Sequence, residues 1–423
     1  MTDSGGDPGP RAAYAQWVTA CSDAGWHADP VAEQVPVQEA LGRVTAAAVR
    51  ARWPSPRFAC AAMDGIAVAA SAAGPADRGD VVLPAPAFTW VDTGDLLPTG
   101  TDTVVERERV AEIRADGSAV ISGALASGKN VRAVGEDFQA GQLLVPAGRR
   151  LRPADLGAAA AAGYAALAVT RQPVVAIIPT GGEIRPVGAV LGPGEFTDSN
   201  SVMLAARSVQ AGAVPAVTSV QPDDPDVLAA AAREAARTAD LVLVLAGSSR
   251  GRGDYTASAL AQVGGLAVQG VAVRPGHPVL LGHVKPGQSG YCPPGSPRGS
   301  GGVVPAIGVP GYPLAAAVVF ELFAAPLLAR LQGSLAEDRA LAQARLGCDW
   351  ASPPDVEDWI PVSLQAAPDR TPVAVPDKGH GAGSVSRLVR AGAWWPIPIG
   401  QGHFAAGEHI EVLPTGSAMP ESR

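Results

Sequence analysis

The sequence predicts a multidomain α/β protein with three kinds of region: a central α/β sheet domain, an elongated N-terminal helical and β region, and a small C-terminal β-barrel. Three observations carry this. Apolar runs alternate with helical patterns from about residue 173 to 333, the signature of a parallel sheet covered by helices. Short β-like runs separated by turn residues fill about 53–149, and a second such set fills 345–415. With 423 residues, 47% hydrophobic and 17% charged, the chain has length for two to four domains and apolar content for sizeable cores.

Taken in order, "DPVAEQVPVQEALGRVTAAAVRA" patterns as a helix, and "DGSAVISG" and "AGQLLVPAGRRLRP" read as strands with turns. In the α/β stretch "PVVAIIP" is a strand, "TDSN" caps a helix continued by "SVMLAARSVQAGA", and "VPAVTSV" is a second strand. Asp224 as N-cap and Pro225 at the first helical position start a helix that feeds the strand "LVLVLA". A short helix and the strand-like "GLAVQGVAV" follow. "KPGQSGYCPPGSPRGSGG" reads as a solvent loop between two strands, and "VVPAIGVPGYP" runs into a long apolar helix beginning near Leu314. The runs "DWIPVSLQAA", "TPVAVP", "AWWPIPIG" and "EHIEVLP" make the terminal β domain.

Composition narrows the function. A formal net charge of −8 argues against nucleic acid as the main partner, while a local basic pocket for a small anion stays compatible. The first residues lack a basic leader before an apolar core, and the longest apolar stretch is interrupted by Glu321, Pro326 and Arg330. The expectation is therefore a cytoplasmic protein with no membrane partner. Cys21, Cys60, Cys292 and Cys348 are dispersed, as are the six histidines, so neither a zinc cage nor a disulfide framework is signalled.

Ligands of an open parallel sheet sit beyond the carboxyl ends of its strands, and three glycine-bearing loops fall there. "PTGGEI" places Thr180, Gly181, Gly182 and Glu183 after one strand. "AGSSRGRGDY" follows another with Gly247, Ser248, Ser249, Arg250, Arg252 and Asp254, whose backbone and side-chain donors suit phosphate. "GVPGYPLA" brings Pro310 and Gly311 after a third. Three such loops on one edge predict an anion pocket. Glu183 and Asp254 beside a phosphate suit a metal ion or substrate orientation, against the plainer roles of helix capping and surface ion pairing. "GALASGKN" misses the phosphate-binding loop pattern because Asn130 replaces the hydroxyl that would hold magnesium, so it reads as a turn. Asp64, Asp95, Glu136 and Asp137, beside glycines or in turn-rich segments, read individually as turn residues.

Together these segments resemble the MoeA family, the molybdopterin molybdenumtransferases that include the C-terminal domain of gephyrin. "AMDGIAV", "DTGDLLPTGTDTVV", "NVRAVGEDFQAGQLLVPAG", "IIPTGGEI", "TDSNSVML", "AGSSRGRGDYT", "VRPGHPVLLG" and "GVPGYPLA" follow the family's blocks in order. The resemblance implies a four-part elongated subunit: a linker domain of 11–52 with 150–172, an inserted β domain of 53–149, a molybdopterin-binding α/β domain of 173–333, and a C-terminal β domain of 345–415. It implies a head-to-tail homodimer with a cleft between the α/β domain of one subunit and the β region of the other. The implied reaction inserts molybdate, or tungstate, into adenylylated molybdopterin and releases AMP, assisted by magnesium or by zinc. The alternative is a non-catalytic molybdopterin carrier or scaffold. By resemblance Asp64, Thr93, Asp137, Glu183 and Asp254 are catalytic, with Glu183 and Asp254 on the metal. Thr180, Gly181, Asp240, Gly247, Ser248, Ser249, Arg274, His277, Pro310 and Gly311 bind substrate. Gly182 stands where the family usually has aspartate, and Arg274 and His277 where it usually has two lysines; "AGSS…DYT" and "PGYP" look like a branch often fused to a periplasmic-binding-like domain. Arg274 keeps a fixed charge with a different geometry, whereas the charge of a histidine depends on pH.

Overall fold

Alternate residues of the strand Val174–Pro179 enter two different cores: Val175 and Ile177 join Trp17, Leu204 and Phe323, whereas Ala176 and Ile178 join Leu228, Ala232 and Leu260. A strand buried on both faces reads as a continuous apolar run, as this one does. The computed structural model describes residues 6–73, 79–245, 255–287, 302–334, 341–368, 371–377, 379 and 381–415. The chain divides into two units, residues 1–33 with 170–423, and Gln34–Val169.

The first unit begins with α1 (Pro10–Asp23) and continues through β1 (Val174–Pro179), α2 (Ser199–Gln210), β2 (Val214–Val217), α3 (Pro225–Ala235), β3 (Leu241–Leu245), α4 (Tyr255–Val263), β4 (Gly264–Gln269), β5 (Leu280–Val284), β6 (Val304–Val309) and α5 (Pro313–Leu331). The strand order is β2-β1-β3-β6-β5-β4. The first four strands are parallel, and β5 runs antiparallel to both β6 and β4. The sequence predicts a parallel sheet; the antiparallel edge arises because β5 and β6 pair directly, which requires no crossover helix. Most of the Pro/Gly/Ser tract between them, 288–301, lies outside the described residues.

Local signals set the helix starts. Asp224 accepts from the N–H groups of Asp226 and Val227 at 2.9 and 3.1 Å, and Asp198 accepts from that of Ser201 at 3.0 Å, satisfying first-turn donors as caps do. Helix α5 has the length and hydropathy of a membrane span, yet 67% of its most apolar window is buried, with Phe323, Leu327 and Leu328 in the sheet core. Its Glu321 pairs with Arg207 of α2, and a wider π turn over Phe320–Ala324 lies just before Pro326, which has no N–H to donate.

One expectation is corrected. Residues 29–51 are not a helix: they form the strand Ala32–Pro36 and the 3₁₀ turn Val37–Glu39, because Pro30 and Pro36 interrupt the i→i−4 ladder. The helix lies earlier, as α1, opened by Pro10 and anchored by the fully buried Trp17, whose indole N–H donates to the Gly282 carbonyl at 2.6 Å.

After α5 come β7 (Ala342–Leu346), β8 (Glu357–Gln365), β9 (Val373–Pro376), the short helix α6 (Val385–Arg390), β10 (Ala393–Ile397) and β11 (His409–Pro414). The pairing β8-β9-β7-β11-β10 closes through β8–β10 into a five-stranded barrel filled by Leu346, Ile360, Val362, Trp395 and Ile397. The second unit is built of short antiparallel strands. Gly65–Val68 lies between Phe88–Val91 and Thr103–Glu106, and Ala119–Ile121 between Val81–Leu83 and Val110–Ile113. The near-miss phosphate loop is a turn there, with Gly128 and Asn130 at φ +78° and +55° and the Asn130 amide donating to the Val104 carbonyl and the Glu106 carboxylate, both at 3.0 Å.

Candidate functional site

Strands β1, β3 and β6 are adjacent and parallel, so the loops after them leave the sheet on one edge. A cleft of about 660 Å³ opens at this edge. Its floor is Pro179, Thr180 and Leu245 at the strand ends; Phe196 and the start of α2 form one wall, Pro310 to Pro313 at the start of α5 another, and Gly383 and Val385 reach in from the barrel. Glu183, Ile184, Thr197 and Pro278 also line it.

Each loop is shaped by its sequence. The Thr180 hydroxyl is buried and donates to the Leu245 carbonyl at 2.7 Å, tying β1 to β3. Gly181 has φ +131°, and a methyl group there would sit 2.7 Å from Ile184 Cγ1, so the turn requires glycine. The Gly182 N–H donates to Asp223 at 3.3 Å, and Glu183 next to it is exposed in the cleft. The Asn200 amide donates to the Gly311 carbonyl at 2.7 Å, joining the start of α2 to the loop after β6, while its Oδ1 is buried with no hydrogen-bond partner among the described residues. Tyr312, the N-cap of α5, is 65% exposed.

The structure thus brings together Thr180, Gly181, Glu183, Pro310 and Gly311. Gly247, Ser248, Ser249 and Asp254, with Arg250 and Arg252, lie outside the described residues. Asp240 stands at the other edge: it precedes β3, is buried, and binds Arg171 at 2.9 Å and the Val174 N–H at 2.7 Å. Arg274 makes a two-pronged ion pair with the buried Asp358, Nε to Oδ1 at 3.0 Å, and Ser352 also donates to Asp358. His277, beside the cleft residue Pro278, is 2.7 Å from Asp7. Both basic groups expected to face an oxyanion are thus held by carboxylates, and no Lys, Arg or His is among the described lining residues.

Asp64, Thr93 and Asp137 belong to the second unit. The Thr93 hydroxyl and amide both donate to Asp64 Oδ1 at 2.7 Å, the hydroxyl bond first among the causes that hold this exposed carboxyl below its ordinary pKa. Asp137 is exposed and its N–H donates to the Ser55 carbonyl. Among the described residues no three His, Cys, Asp or Glu side chains form a metal cage. Sequence reasoning missed Asn200, Tyr312, Gly383 and Val385 as cleft residues. "TDSN" signals a cap without revealing that its Asn reaches across to Gly311, and nothing local ties the barrel to the sheet.

Comparison with known proteins gives three consecutive matches: residues 13–163 to "MoeA N-terminal region (domain I and II)", 176–330 to "Probable molybdopterin binding domain", and 343–415 to "MoeA C-terminal region (domain IV)". The molybdopterin molybdenumtransferase of Nostoc sp. is 29% identical over 401 residues, covering 90% of this chain and 88% of the relative. Molybdopterin molybdenumtransferase 2 of Mycobacterium tuberculosis is 33% identical over 325 residues, covering 71% and 75%. Among solved structures, the molybdopterin biosynthesis MoeA protein from Pyrococcus horikoshii superposes with a TM-score of 0.78 at 27% identity, covering 98% of this chain and all of the other.

Proposed function

Because the chain belongs to the MoeA family, we propose that it is a molybdopterin molybdenumtransferase, inserting molybdate or tungstate into adenylylated molybdopterin with release of AMP. The observation that carries this reading is the position of the cleft. Apart from Gly383 and Val385, its lining residues fall within 176–330, the stretch matched to the molybdopterin-binding domain.

The chemistry asks for a group that manages charge at a phosphoanhydride and for donors to an oxyanion. The reading assigns magnesium, or zinc in its place, to Glu183 and Asp254. Magnesium is commonly held by one or two carboxylates together with substrate phosphates, and Glu183, exposed in the cleft, is a donor of that kind. Bound there, the cation would offset charge on the phosphoryl oxygens. Asp64, Thr93 and Asp137 are further site residues in this reading, which includes a cytoplasmic homodimer.

Reconstitution with adenylylated molybdopterin, molybdate and magnesium tests it. Release of AMP together with metallated product is expected; tight binding without turnover would make the protein a carrier instead.

A further inference from the structure

We propose that Tyr312 is a stacking platform for the flat bicyclic ring system at one end of the substrate, the adenine or the pterin; this rests on the reading above. The ring is large, aromatic and 65% exposed, yet it lines a concave cleft instead of an open surface. Small-molecule clefts use such aromatic walls to receive planar groups.

The backbone that carries the ring is held at three points. The Tyr312 carbonyl accepts from the Ala316 N–H at 2.9 Å, setting the residue as the first cap of α5. The Leu314 N–H donates to the Ala382 carbonyl at 3.0 Å, and a methyl group at Gly383 would sit 3.5 Å from Tyr312 Cδ1, so the ring is seated beside the barrel loop. That loop is itself held by the buried Arg387, which donates to the carbonyls of Gly381 and Asp377 at 3.1 and 2.8 Å. The third tie is Asn200 to Gly311, immediately before the tyrosine. Ordering that is already in place lowers the entropic cost of binding.

The rest of the wall agrees. Pro179, Pro278, Pro310 and Pro313 surround the cleft with rigid apolar surface, and no basic side chain lies among the described lining residues. Such surface suits the faces of an uncharged ring.

The test titrates AMP and, separately, pterin-6-carboxylate into the full-length protein and into Tyr312→Ala and Tyr312→Phe, by calorimetry. One of the two probes should bind roughly tenfold more weakly to Tyr312→Ala and within about threefold of wild type to Tyr312→Phe, and the probe affected identifies the ring. With the adenylylated substrate, Tyr312→Ala should raise KM and leave kcat unchanged, as expected for a contact made equally in ground and transition states. An unchanged thermal midpoint checks that the exposed substitution leaves the fold intact. The proposal is overturned if Tyr312→Ala binds both probes as wild type does, if Tyr312→Phe loses as much as Tyr312→Ala, or if wild type binds neither probe. Absence of AMP release by wild type would instead defeat the wider reading, whatever the titrations show.

Discussion

The two edges of the central sheet carry acidic residues in opposite circumstances. At the amino edge Asp240 is 5% exposed, and its carboxylate is matched by the Arg171 guanidinium and the Val174 N–H. At the carboxyl edge, about 16 Å along the same strands at roughly 3.3 Å per residue, Glu183 is exposed, Tyr312 is 65% exposed, and Asn200 Oδ1 is buried with no hydrogen-bond partner among the described residues. Native folds pair nearly all their buried polar groups, so an edge that leaves polar and aromatic groups open is arranged for something other than stability. The two acidic residues therefore do not share one job. Asp240 holds the sheet, whereas Glu183 is open to the cleft.

That division can be broken by substitution. The largest effect is expected for Glu183→Gln, which keeps shape and removes charge: AMP release should fall about 100-fold or more, comparable to losing one transition-state stabilising group. Its stability should change by no more than about 0.5 kcal/mol, as for other exposed positions. Asp240→Ala should do the reverse, lowering stability in urea unfolding by about 3 kcal/mol because Arg171 loses a buried partner, with binding of AMP and pterin-6-carboxylate unchanged below the unfolding transition. Asn200→Ala removes the tie to Gly311 and should cost about 1 kcal/mol.

The smallest effect concerns Glu195, at the rim beside Phe196. The Gly192 N–H, and after it Arg185 at 2.6 Å, hold this partly exposed carboxyl below its ordinary pKa. A carboxyl whose folded pKa is lowered stabilises the fold above its ordinary range, and that contribution is lost as pH falls through the lowered value. For a single solvent-screened carboxyl at the surface this is too small for unfolding experiments, so the readout is the side-chain NMR titration. Arg185→Ala should move Glu195 upward and leave it below the ordinary carboxylate range, because the Gly192 contact remains; an unmoved titration would separate Arg185 from the rim.

What the sequence made legible follows from distance along the chain. The cap at Asp224 and Pro225, the strand runs and the turns at Gly181 and Gly311 are local signals, and the structure contains them, while the loop 246–254 lies outside the described residues. Long-range pairings carried no such signal. The Arg274–Asp358 pair spans 84 residues and the His277–Asp7 contact 270, so a motif reading that assigned both basic groups to an oxyanion had no means of detecting their carboxylate partners. The same holds for Gly383 and Val385, which line the cleft where the barrel loop is tied to α5. Residues 29–51 failed differently: alanine and valine spacing fits helix and strand alike, and prolines decide between them.

The most direct measurement is AMP release from adenylylated molybdopterin in the presence of molybdate and magnesium, followed side by side for wild type and Glu183→Gln. The account predicts release in step with metallated product for wild type and its near-complete loss in the variant, with both proteins equally stable. Equal release by the two proteins would contradict the assignment of the carboxyl-edge cleft as the reacting site.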